Sequence, residues 1–292
     1  MKFNNLRISS KIMTGYIVAL ILMVGVSGLA VVRLNQLSAS ISNLTDNLAE
    51  EQHLADQIAT AISTARLYTV RYIRDPKPAD LDHFNQTFDR LETLLATAER
   101  DITEPDRVEM RQSIARQVTA YHTAFTEIAD LIQKRQKVLI EGLNTQALTA
   151  QEMLAQMQEN AVAADNVART HSAGLTNRAF YQMQLEVFKY LQTGDPRWAE
   201  SFENHHASIF TLLRDLRTPD EEPAEKWHRQ KTQVVIQDYY QNFESLRADF
   251  DRQNTLFSTR LNVLGPEILQ TAQAMSESVS TDFEAARLEA EQ

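Results

Sequence analysis

The stretch from Ala224 to Pro266, AEKWHRQKTQVVIQDYYQNFESLRADFDRQNTLFSTRLNVLGP, decides the fold. Phe243, Phe250, Phe257 and Leu264 recur every seven residues, and Arg247, Asn254, Leu261, Ile268 and Met275 form the neighbouring series. Residues at that interval line one side of a slightly supercoiled helix packed on partners. The only breaker between Ala224 and the C-terminus is Gly265-Pro266. The spacing therefore predicts a single helix approaching about 100 Å.

Upstream, the same two signals, apolar stripes and breakers, divide the chain. Its 292 residues include seven glycines and seven prolines, too few for a strand-and-turn protein, and Ala, Leu, Gln, Glu and Arg are abundant. A first helix is predicted from about Leu34 to Arg74, with Leu37, Ile41, Leu44, Leu48, Ile58 and Tyr72 in its stripe. Asp75-Pro76-Lys77-Pro78 ends it. A second runs from about Ala79 to Ile102. The third starts near Asp106 with Ile114, Val118, Tyr121, Phe125, Ile128 and Ile132 inward. It then continues through Leu139, Met153, Met157, Ala164 and Val167, bending at Gly142 and Asn144, with no firm stop before Gly174. A fourth, from about Thr176 to Gln192, ends at Gly194-Asp195-Pro196, and a fifth runs from about Trp198 to Leu216. Two long helices joined by half-length pairs through short loops make an all-α chain of two stacked four-helix bundles sharing the third and sixth helices. The lower bundle takes residues 34–140 and 245–292, and the upper one residues 140–245.

Ile12 to Val32 contains no Asp, Glu, Lys, Arg or His. As a helix it is about 30 Å long, the thickness of a bilayer's hydrocarbon core. Lys2, Arg7 and Lys11 precede it, which predicts a cytoplasmic N-terminus over residues 1–11, a transmembrane helix over 12–32 and residues 34–292 outside. With no cysteine in the chain, thiolate metal sites and cysteine nucleophiles are excluded, and a net charge of −10 argues against nucleic acid as partner. Phosphate-loop, Gly-x-Ser-x-Gly and His-Glu-x-x-His signatures are all absent. No two of the seven histidines are spaced i, i+4, and the adjacent His205 and His206 diverge by about 100° on a helix. The expectation is a protein without catalytic residues, metal or cofactor.

The arginines are the strongest ligand signal. A guanidinium grips a carboxylate with two parallel hydrogen bonds. Arg247 falls on a heptad position, Arg135 lies in the third stripe between Ile132 and Leu139, and Arg66 and Arg71 flank Tyr68 and Tyr72. Helical rise places Arg66 and Arg135 at one height, with Arg247 somewhat above, so the expected site is an anion pocket between helices. Arg66 and Arg71 diverge by about 140°, so one helix cannot clamp one ligand with both. In the upper bundle Arg178, Gln184 and Tyr240 are candidates for a second pocket or a subunit contact, together with Thr176, Tyr181, Gln182 and Tyr239.

The charged N-terminus, the span and the six outer helices, with Arg71-Tyr72-Ile73-Arg74-Asp75-Pro76 echoed by Lys189-Tyr190-Leu191-Gln192 and Asp195-Pro196, resemble the helical bimodular sensor domain of bacterial chemoreceptors (methyl-accepting chemotaxis proteins) and some sensor kinases. The resemblance covers the whole chain. It implies an inner-membrane protein with a periplasmic sensor domain that binds small organic acids and works as a homodimer. It also implies that a second span, a HAMP linker and a cytoplasmic signalling part follow such a domain. Binding is then expected to slide or turn the last helix against the first. The alternatives are a sensor-kinase input domain and a docking module for a periplasmic protein.

Overall fold

A computed structural model describes residues 23, 25, 26, 47–217 and 222–290 of the chain. All of its regular structure is helical, and no strand occurs among the described residues. The span expected at residues 12–32 lies outside them, apart from helical Met23, Gly25 and Val26. Among the described residues no helix is long and apolar enough to cross a membrane.

The helices are α1 (47–74), α2 (Pro78–Asp101), α3 (Pro105–Lys137), α4 (Thr145–Ala163), α5 (Val167–Thr193), α6 (Pro196–Asp215), α7 (Pro223–Leu256) and α8 (Asn262–Ala290). Pro78, Pro105, Pro196 and Pro223 each open a helix, where a missing N–H costs nothing. Asp195 caps α6 by accepting from Arg197 N, and Glu104 accepts from Arg107 N at the start of α3. Gly194 ends α5 in the left-handed region, at φ 66°.

Two π segments interrupt the long helices. Val138–Asn144 joins α3 to α4, and Phe257–Leu261 joins α7 to α8. The first covers Gly142 and Asn144, where a bend is expected from the sequence. Pro266 sits inside α8 without ending it. Its missing N–H and its ring act on the carbonyl four residues back, that of Asn262, which lies beyond the π segment.

The third predicted helix does not continue to Gly174. It stops at Ala163, and α5 starts at Val167 rather than Thr176. Asp165 takes a left-handed conformation, φ 51°, and the Asn166 side chain accepts from Arg169 N to cap α5. Asp and Asn tolerate that region better than other non-glycine residues, which is why two polar residues turn the chain without glycine.

The chain separates into two compact units. One holds residues 47–64, 86–116 and 267–290, with Ile58, Ile62, Leu91, Ile114, Ile268 and Met275 fully buried. The other holds residues 65–85 and 117–266. An apolar cluster within it includes Leu154, Phe180, Met183, Phe202, Ile236 and Phe243.

The buried face of α7 differs from the predicted stripe. It carries Tyr239, Phe243, Leu246, Asp249, Gln253 and Leu256, whereas Arg247 and Phe250 are half-buried and Asn254 is exposed. Beyond the π segment, Leu261, Ile268 and Met275 are buried as the seven-residue series predicts. From Tyr239 to Val279 successive buried positions are three or four apart except from Leu256 to Leu261, where the step is five. A π turn takes one residue more than an α turn. Counting back in sevens from Met275 across it therefore lands one residue too far along, on Asn254 and Arg247 instead of Gln253 and Leu246.

Candidate anion-binding site

The one-residue offset puts two polar side chains, Asp249 and Gln253, on the inner face of α7, one helical turn apart. The last turn of α3 supplies Lys134 and Arg135. Lys134 Nζ donates to Asp249 Oδ1 at 3.0 Å and lies 2.9 Å from Oδ2. Arg135 Nη1 donates to the amide oxygen of Gln253, and its guanidinium lies over the Phe250 ring, 5.2 Å from the centroid. Asp249 and Gln253 are buried, and Arg135 is half-buried.

The charges in this layer do not balance. Two cations face one carboxylate, and that carboxylate is held by Lys134. Arg135 has only a neutral acceptor and an aromatic face as direct partners. Burial pulls its guanidinium below the usual range, and the more distant Asp249 carboxylate only partly opposes this. Below the layer, the Tyr190 hydroxyl donates to Asp251 Oδ1 at 2.6 Å. Burial first, then Asp251, hold that phenol well above its ordinary value. Gly194 closes this side: a Cβ there would meet the Phe250 ring at 3.3 Å.

The other expected arginines are placed elsewhere or already matched. Arg66 packs its stem along Gly265, where a Cβ would lie 2.7 Å from Arg66 Cδ. Gly265 and Gln253 are twelve residues apart on one continuous run, roughly 18 Å of rise. Arg66 and Arg135 therefore do not share a height, and the single pocket expected from rise-counting does not form. Such counting takes Leu34 and Asp106 as level starts, whereas Arg107 lies against Glu51, seventeen residues beyond Leu34. Arg71 pairs with buried Asp80 at 3.2 Å and lies over the Tyr68 ring, which stacks on His83. That arrangement fastens α1 to α2 at their hairpin. Arg247 Nη1 is 2.9 Å from Glu203 Oε1 and 3.6 Å from Glu244. Burial lowers its guanidinium, and those two carboxylates more than offset the effect.

The upper candidates are scattered. Tyr240 lies between Phe202 and His206, with ring centroids 5.8 Å and 4.2 Å away. Gln184 Oε1 accepts from Gln151 Nε2 at 3.0 Å, which joins α5 to α4. Its own Nε2 is buried without a hydrogen-bond partner among the described residues. Thr176 is buried and bonds the Ser172 carbonyl, while Arg178 and Tyr181 are exposed. Lys134, Asp249, Phe250 and Gln253 complete the layer that sequence reasoning missed. Asp249 and Gln253, spaced i, i+4, are a readable pair, but the heptad frame assigns them to the surface. No protein-family model matches this chain, and no curated protein matches it.

Proposed function

We propose that the chain is the extracytoplasmic sensor part of a membrane-anchored bacterial receptor of the chemoreceptor kind, and that it takes a small carboxylate at Arg135. The observation that carries this reading is the unmatched charge: a half-buried guanidinium with no carboxylate as direct partner, beside a lysine whose charge is already used. A small anion entering there would convert an unfavourable buried cation into a charge-assisted, bidentate pair. The Phe250 ring beneath the guanidinium keeps its plane fixed. The uncharged run at residues 12–32 and the basic residues before it support anchoring, and the resemblance to helical bimodular sensors supports the signalling role.

Binding would act on helices that end in π segments. Arg135 lies three residues before Val138–Asn144, and Gln253 lies four before Phe257–Leu261. A ligand that bonds one end differently would bias the register of that helix, the kind of small shift receptors transmit. The test is a thermal melt of the protein with a panel of mono-, di- and tricarboxylates. One or more should raise the melting temperature by several degrees, and Arg135→Gln should abolish the rise. A panel with no effect on the melt sinks the reading.

A docking module is the second reading, and one observation favours it. Tyr181, Leu185 and Phe188 are exposed on a single face of α5, with Arg178 beside them. Capture of a periplasmic protein by this face, lost in Leu185→Asp, would favour it over a small ligand.

A further inference from the structure

The other unit holds a second polar interior, unlike the first in sign. Arg107, from the first turn of α3, is 4 % exposed. Its Nε lies 2.9 Å from Glu51 Oε2 on α1. Its Nη1 pairs with Asp282 on α8 and lies 3.4 Å from Ser278 Oγ. Glu104 stands 4.0 Å from Nε. Although 2.9 Å apart, Arg107 Nε and Glu51 Oε2 are both buried without a formed hydrogen bond among the described residues. Arg107 and the three carboxylates line a cavity of about 470 Å³. That volume is in the range of small-molecule sites, about 300–1,000 Å³.

Three carboxylates around one guanidinium leave the cavity with excess negative charge. Burial pushes the Glu51 carboxyl up, and although Arg107 opposes this, Glu104 and Asp282 add to it. A cationic occupant would relieve that repulsion. Among the described residues no group of three carboxylates or histidines is placed to hold a metal ion. Part of the wall is apolar, formed by Leu48, Ala285 and Ala286. An alkyl stem fits such a wall better than a hydrated ion does. The guanidinium, whose Nε no acceptor satisfies, asks for an acceptor as well, which a simple amine lacks.

We propose that this cavity binds a free α-amino acid with a cationic side chain. Its carboxylate accepts from the Arg107 guanidinium, its two cationic groups lie among Glu51, Glu104 and Asp282, and its stem covers Leu48 and the two alanines. The site is separate from the one at Arg135 and of opposite charge preference.

The experiment is a melt of the full chain with L-lysine or L-arginine, against putrescine, L-norleucine and magnesium chloride. Lysine or arginine should raise the melting temperature more than any of the three controls. Ala286→Phe fills the cavity without touching a charge and should remove the rise. Where that variant melts early without ligand, Glu104→Gln carries the test, with affinity falling about tenfold for the lost charged partner. Arg135→Gln should leave the rise intact, which keeps this result independent of the carboxylate site. No rise with either amino acid, an equal rise with any control, or a rise that survives in the variants overturns the proposal.

Discussion

Arg135 and Arg107 carry the same side chain into interiors that treat it in opposite ways. Arg135 meets a neutral amide and a ring, so its burial is not offset by a direct ion pair. Replacing it by methionine keeps the stem and removes the desolvation cost, and the expected outcome in urea denaturation is unchanged or higher stability. Arg107 meets Glu51 and Asp282 directly. Arg107→Met leaves three carboxylates facing one another and should cost about 3 kcal/mol in the same measurement. Glu51 adds a pH signature. Its folded carboxyl is raised above the ordinary 4.5, so the folded chain holds that proton more firmly than the unfolded chain does. The contribution is full below pH 4.5 and is lost as pH rises past it. Stability of the native chain relative to Glu51→Gln should therefore grow as pH is lowered from neutral towards that value, read from urea midpoints at several pH values.

At the scale of elements, the ends and the irregular turns decide what a helix presents. Gly194 takes φ 66° with the Phe250 ring 3.3 Å from where a Cβ would stand. Gly194→Ala should cost about 1 kcal/mol, measured by denaturation. The π segment at Phe257–Leu261 makes a sharper expectation. Removing exposed Ser258 turns the five-residue step from Leu256 to Leu261 into four, which an α-helix accommodates with both buried faces still aligned. Removing exposed Ala248, within regular α7, rotates everything beyond it by about 100° off the core. Circular-dichroism melts should show the Ser258 deletion folded and melting within a few degrees of the native chain, and the Ala248 deletion grossly destabilised. The same extra residue explains which parts of the site were legible. Arg135 was readable because only regular α-helix separates it from the stripe at Ile128 and Ile132. Its partners on α7 were not, because the stripe was phased from the C-terminal side of a π turn that no residue type announces.

At the scale of the molecule, the helical class was readable from composition and from prolines that proved to open helices at 78, 105, 196 and 223. The turn at Asp165 was not, since it uses neither glycine nor proline. Each compact unit has its own buried residues, which gives a test of how cooperatively the chain unfolds. Phe202 is fully buried in the unit that contains α5 and α6. Phe202→Ala should cost about 3–5 kcal/mol there. Native-state hydrogen exchange should show protection falling across residues 117–266 while residues 86–116 and 267–290 keep theirs. Uniform loss in both units would mean that they open as one.

The five-residue step between Leu256 and Leu261 also bears on ancestry. Homologous chains that lack the added residue would have one amino acid fewer near position 258, with the same faces turned inward. Pairing such sequences to this one demands a single gap at that place. Aligned without it, every interior position on one side of the slip would be matched to a solvent-facing neighbour, and kinship that exists in three dimensions would read as noise.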